Sequence, residues 1–559
     1  MLRSLTNQTT HLLKLPSSSP FPASTSRYST SALDWLAAFN NYEQKGVPDA
    51  AGTDTADGFD LASIHYARVH KLMQALDSPH TAFPAVHIAG TKGKGSIVSM
   101  LSSILKHSGY TVGTYTSPHV VSFHERMAIN GTSITPDALD ALLSKYKSTI
   151  ESSQQSEKGA LSHFEIVTAL AFRYFADSKV DIAVIETGLG GARDATNVLP
   201  AETVAAAVIS AVGHDHAGAL GGSIETIAAA KAGIMKQNRP VVLGRQPETA
   251  AGQVLVQHAR KNDLIDLIHY AEKEVQILKE GKIFIDDGVA YQRCKFGLSQ
   301  WATNALNKSS GDEDQEIGSG VGENLVELDV SLRLVGKHQL DNASTAITTS
   351  AILATSGQGQ AFPKITKESI IQGLENAPIL PGRFQICRLE ANQGLAILDG
   401  AHTPESAAAL VDTVRTLFPF SADKNEKNIN SGDGADKAPP PLPVALVLAM
   451  ASDKDLTGVC RELRQLQPNV AVFTEVPIAG GKTRSAAPGA LVGAWQAAGM
   501  MVGSKTKGRP VRAREMIQAS IKAAVARAAA ELKALPNGDK GVIVVTGSMH
   551  AVGTALRDL

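Results

Sequence analysis

The sequence predicts an α/β protein of two domains, built mainly on parallel sheets. Three observations predict it. At 559 residues the chain is too long for one hydrophobic core. Short apolar runs recur along it, and segments of helical period separate many of them. A glycine-rich stretch joins the first of these runs to the first clear amphipathic helix.

The N-terminus differs from the rest. Residues 1–33 contain Arg3, Lys14 and Arg27 and no acid; the first acid is Asp34. A basic, hydroxyl-rich, acid-poor leader has the pattern of an organelle transit peptide. It is placed over residues 1–32 and expected to be disordered. The mitochondrial matrix is the favoured destination, with plastid or cytoplasm as alternatives. The competing reading is a plain disordered tail.

The apolar run Ala85 to Ala89 follows, then "GTKGKGS", then a helix in which Ile97, Met100, Leu101, Ile104 and Leu105 share one face. Gly109 stands where a C-terminal cap belongs. Further strands are expected at Val180 to Ile185, Val204 to Ile209, Leu395 to Leu398, Val444 to Ala449, Val470 to Thr474 and Val542 to Val545. Two polar stretches, 307–324 and 422–441, read as exposed insertions. A fresh strand and helix alternation begins after "APILPGRFQ", so the domains are placed at 33–382 and 383–559.

Composition excludes several classes. Hydrophobic content of 43% and charge of 19% are ordinary for a globular protein. A net charge of -1 implies no basic face, so small molecules are expected as partners, not nucleic acid. Cys294, Cys387 and Cys460 are too scattered for a disulfide framework or a zinc site. No apolar run approaches the roughly 18 residues of a membrane span.

The glycine loop departs from the common P-loop, because Gly95 separates Lys94 from Ser96. Gly90, Gly93 and Gly95 still let backbone approach phosphates, and Lys92 and Lys94 add charge. Ser117, before Pro118, is a metal ligand or a loop serine. Glu186 follows an apolar strand, where a carboxylate suits magnesium or points into water. His214, Asp215 and His216 follow another strand without completing a zinc site. Lys231 lies among alanines, which by itself reads as a snorkelling surface residue. Asn342, Arg383, Asp399, His402 and Ser548 are each weak signals. Polar residues at strand ends in both domains point to a cleft between them.

Taken in order, "GTKGKGS", "TSPH", "ERMAING", "ETGLGGARDATN", "GHDH", "AKAGI", "GKHQLDNA", "PGRFQ", "DGAHTPE", "SDKD" and "VTGS" resemble the folylpolyglutamate synthase and dihydrofolate synthase family, relatives of the Mur ligases. The resemblance runs from about residue 58 to the end. It implies a P-loop ATP-binding Mur-ligase-type central domain and a smaller Rossmann-like C-terminal ligase domain. By the same resemblance Gly93, Lys94, Gly95 and Ser96 hold the ATP phosphates, and Asn342, Arg383 and Asp399 complete the nucleotide site. Ser117 and Glu186 hold one magnesium ion. His216 and a carbamylated Lys231 hold a second, with Glu186 shared. Phe164 stacks on the pterin and Asp194 accepts its N–H groups, while His402 and Ser548 hold glutamate. Lys94, Lys231 and His216 are the expected catalytic residues. Thr403 and Ala230 depart from the family pattern, and three extra residues lie between Glu186 and His216.

The activity implied is ATP-dependent ligation of L-glutamate to 7,8-dihydropteroate through an acyl phosphate, giving dihydrofolate. "DATN" at 194–197 resembles enzymes that use dihydropteroate. The alternatives are polyglutamation of tetrahydrofolate, both activities together, a P-loop kinase or NTPase, and a catalytically dead binding protein. A monomer is expected.

Overall fold

The computed structural model describes residues 30–39, 41, 64–214, 220, 222–310, 325–355, 361–389, 394–418, 442–478, 484–502 and 513–559. The first unit is built on an eight-stranded sheet. Its order in space is Thr132–Ser133, Met127–Ile129, Val112–Tyr115, Ile182–Glu186, Ala85–Ala89, Val204–Ile209, Val241–Leu243 and Ile268–Tyr270. The last six run parallel, and the first two form an antiparallel edge. The central strands are wholly buried, which is why they read as unbroken apolar runs with no alternation.

The helix Lys94–His107 closes as its sequence predicts. Gly109 has φ +81° and donates to Lys106 O at 2.9 Å, and Tyr110 donates to Leu105 O at 3.1 Å. That pair of bonds is a Schellman cap, which requires a left-handed residue. The helix packs beneath Lys337–Thr355 and Lys367–Glu375 in the main core. A Cβ on Gly373 would lie 2.4 Å from Ile104 Cα, so the helices meet backbone to backbone there.

Between the two units lies a three-stranded antiparallel sheet, Val275–Asp286, Val289–Leu298 and Val326–Leu332. The apolar runs read from the sequence include none of these three strands. The first of these strands is exposed along most of its length, so it offers no apolar run to find. The six-stranded sheet of the second unit follows, in the order Gln385–Arg388, Leu395–Leu398, Val542–Thr546, Val444–Leu448, Val470–Phe473 and Arg514–Ile517. Only its first strand is antiparallel.

A helix, Thr30–Ala37, begins inside the expected leader, and Leu36 is buried in the first unit. Residues 1–29 lie outside the described residues, as do 311–324 and 422–441; residues 307–310 continue the helix Gln300–Ser310.

Candidate active site

The glycine loop sits at the carboxyl end of the central strand. Gly93 has φ +92°, and a Cβ there would fall 2.3 Å from Asn342 Oδ1. Only glycine allows this approach. It brings the loop against the helix Lys337–Thr355, where Asn342 is buried and donates to Gln339 Oε1 at 2.9 Å. Gly93 is also the cap of Lys94–His107, and it offers no side chain to the amides of the first turn. Those amides and the helix dipole make a seat for an anion. Ser96 is buried in the same turn.

Glu186 ends the neighbouring strand. Its Oε1 lies 3.6 Å from Lys94 Nζ, and its Oε2 accepts from Ser117 N at 3.3 Å. Burial pushes its carboxyl above the usual range, against the pull of Lys94, the Ser117 amide and Arg383. Ser117 Oγ is buried with no hydrogen-bond partner among the described residues. A buried hydroxyl beside a carboxylate is a donor set that fits a hard cation such as Mg2+.

The loop carrying Ser117 is held from within. Glu125 accepts from the amides of Val120, Val121 and Ser122 at 2.9, 3.0 and 2.7 Å. The loop also meets the second unit, for a Cβ on Gly553 would lie 2.2 Å from Val120 O.

Lys231 is not a surface residue. It is only 4% exposed, and its Nζ donates to Gly90 O at 3.0 Å. The reason is the turn Gly188 to Ala192, which lies on its helix, Ile224–Ala232: Ala192 N donates to Ala230 O at 2.8 Å. This corrects the snorkelling reading of Lys231. Its expected partner His216, with Asp215, lies outside the described residues.

Phe164 and Asp194 both reach the turn at Gly188 and Leu189. A Cβ on Gly188 would lie 2.4 Å from Phe164 Cζ. Asp194 caps the short 3-10 turn Ala195–Val198. Its Oδ1 accepts from Thr196 N and Thr196 Oγ1 at 3.0 and 2.6 Å, and its Oδ2 accepts from Leu189 N at 2.8 Å. Burial again raises the carboxyl, and these donors pull it back.

In the second unit Asp399 accepts from Phe384 N and Ala401 N, each at 2.9 Å. The Arg383 guanidinium acts on both Asp399 and Glu186, so it links the two halves of the site electrostatically. His402 Nδ1 pairs with Gly400 O at 2.9 Å. Ser548 Oγ donates to Ala449 O at 3.2 Å and caps the helix Met549–Asp558 through Ala551 N, so it carries a structural duty whatever else it binds. Lys92 Nζ reaches Thr403 Oγ1 at 2.9 Å.

Of the residues that shape this region, His87 lies in none of the motifs, while Thr196 and Glu125 lie within them with no role assigned. Glu125 was findable, because Ser122-x-x-Glu125 has capping-box spacing and both of its bonds form. His87 was not, since its run is apolar on both sides.

A glycine loop at a parallel-sheet edge, a cation-fitting pair beside it and a second α/β unit against it define a nucleotide-dependent ligase. Residues 88–350 match the Mur ligase middle domain. The dihydrofolate synthase/folylpolyglutamate synthase of Bacillus subtilis is 35% identical over 63% of this chain and 73% of its own length. The human mitochondrial folylpolyglutamate synthase is 28% identical over 71% of this chain and 60% of its own. The crystal structure of Mycobacterium tuberculosis folylpolyglutamate synthase complexed with ADP and AMPPCP superposes with a TM-score of 0.67 at 26% identity, over 88% of this chain and 94% of that one. The chain belongs to the dihydrofolate synthase/folylpolyglutamate synthase family of ATP-dependent ligases.

Proposed function

We propose that this ligase joins the amine of L-glutamate to the carboxylate of 7,8-dihydropteroate, giving dihydrofolate. The observation that carries the reading is that Phe164 and Asp194, an aromatic ring and a buried carboxylate, both lie at the turn Gly188 to Leu189. That pair suits a flat heterocycle with N–H donors. The Bacillus relative, whose name includes dihydrofolate synthase, supports it.

The acceptor carboxylate attacks the γ-phosphorus of ATP, ADP leaves, and an acyl phosphate forms. The glutamate amine then attacks the acyl carbon, loses a proton and expels phosphate. The loop Gly93, Lys94, Gly95 and Ser96 holds the phosphates, and Lys94 neutralises charge on the group in transfer. Asn342, Arg383 and Asp399 hold the rest of the nucleotide. Phe164 and Asp194 orient the acceptor; His402 and Ser548 receive glutamate. Ser117 and Glu186 would hold one Mg2+, and Glu186, His216 and a carbamylated Lys231 a second. When bound, Mg2+ supplies charge neutralisation for phosphoryl transfer. Closure of the units aligns acid and amine and excludes water from the acyl phosphate.

The same reading takes 33–382 and 383–559 as the two domains, a monomer as the active form and the mitochondrial matrix as its place. The acid-poor leader and the mitochondrial human relative support the last point.

The test is phosphate release by protein lacking residues 1–29, with magnesium and glutamate, comparing dihydropteroate with tetrahydrofolate. Turnover with dihydropteroate is expected. Turnover with tetrahydrofolate alone would make the enzyme a polyglutamate synthase, and hydrolysis indifferent to glutamate would sink the ligase reading.

A further inference from the structure

We propose that His87 is a positioning residue for the acceptor, acting through Thr196 on Asp194. The inference rests on the reading of Asp194 as the pterin contact.

His87 lies on the central strand with no exposed surface, level with Ile185 and Ala207 on its two neighbours. An apolar side chain would fill that place at lower cost, because a buried imidazole needs a partner. The partner is Thr196 Oγ1, 2.8 Å from His87 Nε2. Thr196 is itself fully buried.

The direction of the bonds follows from counting protons. Asp194 as a carboxylate accepts only, and it takes the one hydroxyl proton of Thr196 at 2.6 Å. Thr196 Oγ1 must then accept from the ring, so Nε2 carries the proton and Nδ1 is bare. Nδ1 is buried and has no hydrogen-bond partner among the described residues. A bare ring nitrogen is cheaper to bury without a partner than an N–H. Burial, with Lys236 nearby, lowers the imidazole pKa to about 3, so the ring is neutral at physiological pH.

The result is a one-way chain, His87 Nε2–H to Thr196 Oγ1–H to Asp194 Oδ1. Each link polarises the next. It fixes the hydroxyl rotamer of Thr196 and turns Asp194 toward one orientation. His87 touches no ligand and works by holding the group that does.

The test is steady-state kinetics on His87→Leu and Thr196→Val, with His87→Gln and Thr196→Ser as variants that keep the donor. The KM for dihydropteroate should rise about tenfold in the first pair, as expected for loss of a bond supporting a charged group. The KM for ATP should stay within about twofold, and the donor-keeping pair should recover most of the loss. A Thr196→Val enzyme that folds as wild type with unchanged acceptor KM overturns the proposal, as does an equal rise in both KM values. If His87→Leu does not fold, the isosteric Thr196→Val decides. Asp194→Asn separates the two levels: an unchanged acceptor KM there removes the pterin reading itself, whereas a raised one with normal Thr196→Val kinetics removes only the relay.

Discussion

Lys92 Nζ donates to Thr403 Oγ1 at 2.9 Å, tying the glycine loop to the cap of the helix Pro404–Leu417. Thr403 serves both units at once. Its side chain also accepts from Ser406 N at 3.3 Å and so starts that helix. Thr403→Val should cost about 1 kcal/mol, the usual loss for a helix cap. Lys92→Met should cost under about 0.5 kcal/mol, because the lysine is half exposed and its bonds are solvated. Urea unfolding of both variants checks this, and equal losses would mean that the contact between units matters more than the cap.

Lys94 is the cation placed nearest Glu186 at the head of the helix. Lys94→Met should lower glutamate-dependent phosphate release by roughly 100-fold or more, by analogy with loss of a transition-state donor. Circular dichroism should show the fold intact. Retained turnover would remove Lys94 from the chemistry.

Ser117→Ala deletes a buried hydroxyl that has no protein partner among the described residues, so folding should lose little. The magnesium concentration for half-maximal activity should rise at least as far as loss of an outer partner raises it, about 10–100-fold. An unchanged magnesium curve would return Ser117 to the role of a loop serine.

Gly188→Ala would place a methyl 2.4 Å from Phe164 Cζ. The ring must move, so the acceptor KM should rise while the ATP KM holds. Equal change in both would show that the substitution disturbs the sheet edge and not the ring.

Two buried histidines should make the fold acid-sensitive. Burial lowers the His80 pKa to about 4 and the His87 pKa to about 3. The unfolded rings take a proton below their ordinary 6.5, while the native rings resist until those lower values. Stability is therefore whole above that pH and falls as pH drops. His87 alone should remove on the order of 4 kcal/mol by about pH 3. The urea midpoint should decline between pH 7 and pH 5, and a flat profile would refute this.

The helix Lys94–His107 and its Gly109 cap were legible because spacing and a left-handed glycine are local signals. Glu186 was legible as a charge ending an apolar strand. The depth of Lys231 was not, because an alanine-rich helix looks alike whether a glycine turn or water covers it. His87 was hidden for a related reason. In a strand buried on both faces, alternation vanishes, and nothing local says which side an imidazole will meet. The antiparallel sheet escaped because the apolar residues of its first strand are broken up by charged ones and several stay exposed, so they form neither a continuous run nor a clean alternation.

The close approach of Val120 O to Gly553 joins an early and a late part of the chain. The loop bearing Ser117 is translated early, yet its seat belongs to the helix Met549–Asp558. While the chain is still on the ribosome, the first sheet can fold with its glycine loop formed and this neighbour missing. On the proposed reading, a half-made chain would carry its glycine loop before the full arrangement that uses it.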